Sequence, residues 1–171
     1  MVISDDNFLV NGISLLVQTA EIPLLSYPIV IVDIDRIGSV AILECYIERT
    51  PSSSIIFGIS RDGIMSRMFK QVPSVSIDTP VLSVSNKLHR LSKVKTSKEF
   101  WLAQCTKVRF CKMLSPKQNA VLEGFKYGLD IQAVADITGM RSKSCYYHAR
   151  EIISKLNLKN IKELRYFATL L

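Results

Sequence analysis

The sequence predicts two structural classes in series: an α/β amino-terminal half built on a small parallel sheet, then an all-α domain of four short helices. Three observations carry this. Short β-branched runs alternate with amphipathic stretches up to about residue 84, the rhythm of strands and crossover helices. Strand signals vanish after Leu114. Charge divides the chain in the same way, with five Lys and Arg against nine Asp and Glu in residues 1–85, and 17 against 6 in residues 86–171. A half with that excess of base suits a polyanionic partner, because each cation near a phosphate releases condensed counterions.

In the first half, Val2-Ile3-Ser4 reads as a strand. Phe8 to Gln18 follows as a helix, with Phe8, Leu9, Ile13, Leu16 and Val17 on one face. Pro28 to Asp33 is a continuous apolar run, the pattern of a strand buried on both sides. Val40 to Glu48 is helical in pattern, and Ser54–Phe57 and Val81–Val84 add two further strands. About four strands fit, so the sheet is small. Residues 86–112 hold Lys87, Arg90, Lys93, Lys95, Lys98, Lys107, Arg109 and Lys112. They read as a last helix running into a basic connector at 96–112, with Trp101 anchoring it against one domain. The first domain accordingly spans 1–95 and the second 113–171.

The second domain opens on Leu114-Ser115-Pro116: serine as N-cap, and proline at the first helical position, where its missing N–H costs nothing. Val121, Leu122 and Phe125 line the inner face of this helix, and Gly128 ends it. Asp130 caps a second helix, with Val134 and Ile137 facing inward, and Gly139 sits in the turn that follows. Arg141 or Ser142 opens a third helix with Cys145, Ile152, Ile153 and Leu156 as its apolar side. A fourth, from Ile161 to Leu170, carries Leu164, Phe167 and Leu170 on one stripe. Four short helices with a glycine turn between the second and third make a helix-turn-helix plan.

Whole classes of function are disfavoured. Apolar runs stop short of a membrane span, and the acidic Asp5-Asp6 stands where a secretory leader carries base, so a cytoplasmic protein without a membrane partner is expected. Cys45, Cys105, Cys111 and Cys145 are scattered, and His89 and His148 are the two histidines, so neither a metal nor another cofactor is expected. There is no set of nucleophile, base and orienting group, so an enzyme is not expected either.

Leu114 through Leu164 resembles the LuxR/FixJ/NarL-type DNA-binding domain and matches its pattern without a gap. The matching elements are Leu114-Ser115-Pro116, Val121-Leu122, Gly128, Val134-Ala135, Gly139-Met140, His148, Ile152, Lys155-Leu156, Leu158 and Glu163-Leu164. The chain departs from the pattern at Ile131-Gln132-Ala133, at Thr138, and at Arg141, where a missing serine moves the expected cap to Ser142. The resemblance implies that the third helix enters the major groove of double-stranded DNA. It puts Tyr146, Tyr147 and Arg150 at base-reading positions, and Lys143, Ser144, Lys155 and Lys159 at or beside phosphate-contacting ones. Arginine can bond guanine with both arms, and tyrosine rings can touch thymine methyls. His148 is expected to be a scaffold residue.

The first half resembles a response-regulator receiver, shortened and degenerate. Asp5-Asp6 looks like the acidic pair that opens receivers and Asp33 like the phosphoacceptor, with Ser60 and Lys87 completing the set. In an intact receiver the carboxylates hold Mg²⁺, and the metal assists phosphoryl transfer to aspartate. Here only 28 positions separate Asp5 from Asp33, too few for the family's intervening helix and strand, and Asp35-Arg36-Ile37-Gly38 replaces Met-Pro. The expectation is a shortened module that dimerises or binds a partner without phosphorylation. The resemblance thus implies a transcription regulator acting as a homodimer, or as a heterodimer with another LuxR-type regulator, with RNA polymerase a further partner. The alternative is an interaction protein that pairs with or sequesters such a regulator with little DNA affinity of its own.

Overall fold

Four parallel strands order the first part of the chain. β1 (Val2–Ile3), β2 (Ile29–Asp33), β3 (Ile55–Ser60) and β4 (Ser74–Ser76) lie in the order β1-β2-β3-β4, with Ile31 opposite Val2 and Phe57, and Gly58 opposite Ser74. This computed structural model describes residues 1–19, 28–80, 83, 84, 86, 87, 90, 97–109 and 114–171. The chain divides into two compact units, Met1–Thr106 and Lys107–Leu171.

β2 and β3 are buried nearly throughout, as their continuous apolar runs require. Side chains alternate across them, so Ile31, Ile55, Phe57, Ile59 and Val75 share one cluster, against which Leu9 and Ile13 of helix α1 (Asn7–Thr19) pack. Phe8 does not join it. It lies one step round the helix from Leu9, and 90% of it is exposed. Helix α2 (Val40–Arg49) starts at Ser39, whose Oγ accepts the Ile42 N–H, and buries Val40, Leu43 and Ile47. Helix α3 (Ile64–Met68) precedes β4.

Two expectations for this unit change. The fourth strand is Ser74–Ser76, not 81–84: Ser83 and Val84 are helical, whereas Val81 and Leu82 lie outside the described residues. Much of the expected connector is helix α4 (Lys98–Arg109), and the first unit runs to Thr106 rather than 95. The reason is packing. Trp101 is fully buried, its indole Nε1 donates to the Ile56 carbonyl at 3.1 Å, and its ring stacks on Phe69 with centroids 6.4 Å apart. Lys98 Nζ donates to the carbonyls of Glu48 and Thr50.

The second unit contains α5 (Pro116–Lys126), α6 (Ile131–Thr138), α7 (Ser142–Lys155) and α8 (Ile161–Thr169). α5 packs on the other three helices. It begins with a capping box, in which Ser115 Oγ accepts the Gln118 N–H and Gln118 Oε1 accepts the Ser115 N–H at 2.9 Å. Asp130 caps α6 by accepting the Ala133 N–H, and Asn160 caps α8 by accepting the Lys162 and Glu163 N–H. Gly139 ends α6 at φ +67, a conformation that would strain a residue bearing a Cβ. Val121, Leu122, Phe125, Val134, Cys145, Ile152, Leu156, Leu164 and Phe167 form the core, and Ile153 is half-buried. Ile137 does not face inward. The inner stripe of α6 runs through Val134, Ala135 and Thr138, and position 137 lies about 110° from its centre, leaving Ile137 71% exposed.

Candidate functional site

Helix α7 presents two unlike faces. Cys145, Ala149, Ile152 and Leu156 recur at spacings of four, three and four and are buried. Lys143, Tyr146, Tyr147 and Arg150, at spacings of three, one and three, lie on the opposite side and are exposed. Two exposed tyrosines on one short helix carry apolar area that the fold does not use. The Arg150 side chain makes no hydrogen bond or ion pair among the described residues. Beyond it, Tyr146, Arg150, Ile153, Lys159 and Asn160 line an open groove of about 450 Å³ between α7 and the start of α8. Field follows composition: the second unit holds twelve Lys and Arg against five Asp and Glu.

The remaining candidates on this unit are placed as follows. Ser144, half-buried in the first turn of α7, sends its backbone N–H to the Arg141 carbonyl. The cap has not moved to Ser142. Arg141 holds the N-cap position with no side-chain bond, and Ser142 Oγ instead donates to Gln132 Oε1 at 2.7 Å, tying α7 to α6. Lys155 Nζ donates to Gln118 Oε1 at 2.8 Å. Lys159 is exposed, and its backbone N–H donates to Glu163 Oε2. The His148 ring meets Tyr147 edge-on, centroids 5.8 Å apart, and its Nδ1 is buried without a hydrogen-bond partner among the described residues.

In the first unit the carboxyl ends of parallel strands gather polar groups, the place where open α/β sheets hold ligands. Asp33 ends β2 and is fully buried. Its Oδ2 accepts Ser4 Oγ at 2.9 Å. Its other partner is a residue that sequence reasoning passed over. Arg61 donates from Nε to both oxygens of Asp33 at 3.2 and 3.3 Å, and from Nη2 to Asp33 Oδ2 at 3.0 Å and Asp6 Oδ2 at 3.1 Å. Planar forks of this kind make the stronger charge-assisted bonds. The bond from Asp33, followed by attraction to both carboxylates, raises the Arg61 pKa above its ordinary value. Asp6 is held low, first by the Leu9 N–H donated to its carboxylate and then by Arg61.

The other proposed members of this set do not converge on Asp33. Asp5 is exposed. Lys87 Nζ donates to Thr79 Oγ1 at 3.2 Å. Ser60 Oγ accepts the Asp62 N–H. Asp35, noted in the sequence only as a departure, organises the loop that delivers Arg61. Its carboxylate accepts the backbone N–H of Arg61, Gly63 and Ser66, at 2.9, 3.2 and 2.9 Å, and the Ser66 hydroxyl. A Cβ at Gly63 would stand 2.3 Å from Asp35 Oδ1, so the loop closes on the carboxylate only with glycine there.

The fold so described has known counterparts. It is similar to a complex of the two-component response regulator RcsB with DNA, at 18% identity and a TM-score of 0.69 over 99% of this chain and 96% of that one. It is similar also to RcsB from Salmonella enterica serovar Typhimurium bound to promoter rprA in the presence of phosphomimetic BeF3⁻, at 17% identity and a TM-score of 0.70 over 98% and 96%. The fold is that of a response regulator. No protein-family model matches the chain, and no curated protein matches it either. Among the described residues no helix is long and apolar enough to cross a membrane, and no group of three or more His, Cys, Asp or Glu is arranged to hold a metal ion.

Proposed function

We propose that this protein is a sequence-specific regulator of transcription that binds duplex DNA through α7, as a dimer, without phosphorylation of Asp33. The observation that carries the reading is the division of α7 into a buried apolar stripe and an exposed face of Lys143, Tyr146, Tyr147 and Arg150. Arg150 reads guanine, the tyrosines touch base edges, and Lys143, Ser144, Lys155 and Lys159 position the helix on phosphate. RcsB structures of the same fold are complexes with DNA, which supports the assignment. One helix reads few base pairs, and pairing two copies doubles the site.

Retention of genomic fragments on the purified protein, followed by sequencing, tests the proposal. A recurrent two-part sequence with half-sites about one helical turn apart, or a multiple of it, is the expected result. Retention without a shared sequence would leave only charge-driven binding. No retention would turn the reading to an interaction protein that acts on another regulator.

A further inference from the structure

The receiver likeness implies Mg²⁺ held by carboxylates at the end of β2, and the residues present do not fit it. A divalent cation there needs oxygen ligands, with open positions for water and phosphate. The carboxylates that would serve are already engaged. Asp33 accepts three bonds from Arg61 and one from Ser4, and among the described residues the only other acid to reach the cluster, Asp6, accepts from Arg61 and from the Leu9 N–H. Asp35 lies two residues on, but four donors of the 61–66 loop surround its carboxylate. A guanidinium at 3.0 to 3.3 Å from both Asp33 oxygens would also repel an incoming cation.

We infer that Arg61 is the resident cation of this cluster. Its guanidinium supplies, from within the chain, the positive charge a divalent ion would bring, and shuts that ion out. Asp33 is buried and would be costly to leave unpaired, so the arginine also holds the ends of β1, β2 and β3 together. Asp35 fixes the Arg61 backbone, which makes it a positioning residue for the plug. The inference rests on the reading of the first unit as working without phosphorylation.

Full-length protein is titrated with Mn²⁺, and the electron paramagnetic resonance signal of free ion is followed. Wild type is expected to take up no Mn²⁺ saturably in the millimolar range. Arg61→Ala is expected to take up one ion per chain, at least about tenfold more tightly than wild type, since a unit charge close to the site is gone. Adding Asp33→Asn to Arg61→Ala should abolish that uptake. Saturable uptake by wild type would overturn the inference, and so would a folded Arg61→Ala chain that takes up none. Should Arg61→Ala fail to fold, Asp33→Asn in the same chain restores folding by removing the unpaired carboxylate, and failure of that rescue overturns the inference as well. Modification of Asp33 by acetyl phosphate would strike the phosphorylation-independent reading and the inference with it, whereas saturable Mn²⁺ uptake by a wild-type chain that acetyl phosphate leaves unmodified would strike the inference alone.

Discussion

Truncating two residues two positions apart on α7 separates base reading from scaffold. The Arg150 side chain is exposed and makes no hydrogen bond or ion pair among the described residues, so Arg150→Ala removes nothing the fold uses. Its cost should fall on the specific complex, at about 1 to 3 kcal/mol, or roughly 5- to 150-fold in Kd, with a smaller loss on random DNA. Ile152 is fully buried. Alanine there removes three carbons, worth about 2.4 kcal/mol at about 0.8 each, and the cavity left behind brings the cost to about 3 to 4 kcal/mol. Urea unfolding followed by circular dichroism, and anisotropy on specific and scrambled duplexes, give the two quantities for each variant. The expected result is a stable Arg150→Ala chain that binds weakly and a destabilised Ile152→Ala chain whose folded fraction keeps its sequence preference. If Arg150→Ala unfolds the domain while Ile152→Ala only alters preference, the two faces are inverted and the proposal fails.

Binding in salt should follow phosphate neutralisation: with six to eight contacts per dimer, the slope of log affinity against log salt is about −6, and a slope shallower than about −2 would remove the DNA-binding reading. Acetyl phosphate with Mg²⁺ should leave the mass and oligomeric state of the wild-type chain unchanged, which intact-mass spectrometry checks; stoichiometric modification of Asp33 would overturn this. Trp101→Ala should destabilise the first unit by about 3 to 5 kcal/mol, seen as faster hydrogen exchange in the sheet, whereas a tryptophan in a loose connector would cost almost nothing. Burial pushes the Cys105 thiol up to about 12, so at pH 8 iodoacetamide should label exposed Cys45 in the folded chain and Cys105 only after urea. Asp6 is held low in the folded chain, so its contribution is present above the ordinary carboxylate range and disappears as pH falls through the lowered value; Asp6→Asn should therefore flatten the acid limb of the stability profile.

Features governed by local chemistry were legible in the sequence. Ser115, Asp130 and Gly139 each act within a few residues of their own position, and all three do what their residue types suggest. β2 was legible because an unbroken run of Ile and Val has few other uses. β4 was missed because three residues with a single buried side chain, Val75, leave almost no pattern, while the stronger β-branched run at 81–84 follows Pro80 and its described part is helical. The exposed face of α7 was readable as the complement of a buried stripe. Arg61 was not readable at all. It meets acids 28 and 55 residues away, and nothing local marks it from any other surface arginine.

The bond from Lys155 to Gln118 reaches further than its place at the edge of α7 suggests. One amide oxygen takes both this ammonium and the Ser115 N–H, so the start of α5 and the end of α7 answer to a single atom. An amide carries no net charge, so this bond fixes the ammonium without neutralising it. Glutamate at 118 would serve the cap equally well, yet would set a carboxylate against the lysine. With glutamine there, the domain ties α5 to α7 through a bond that brings the lysine no opposing charge.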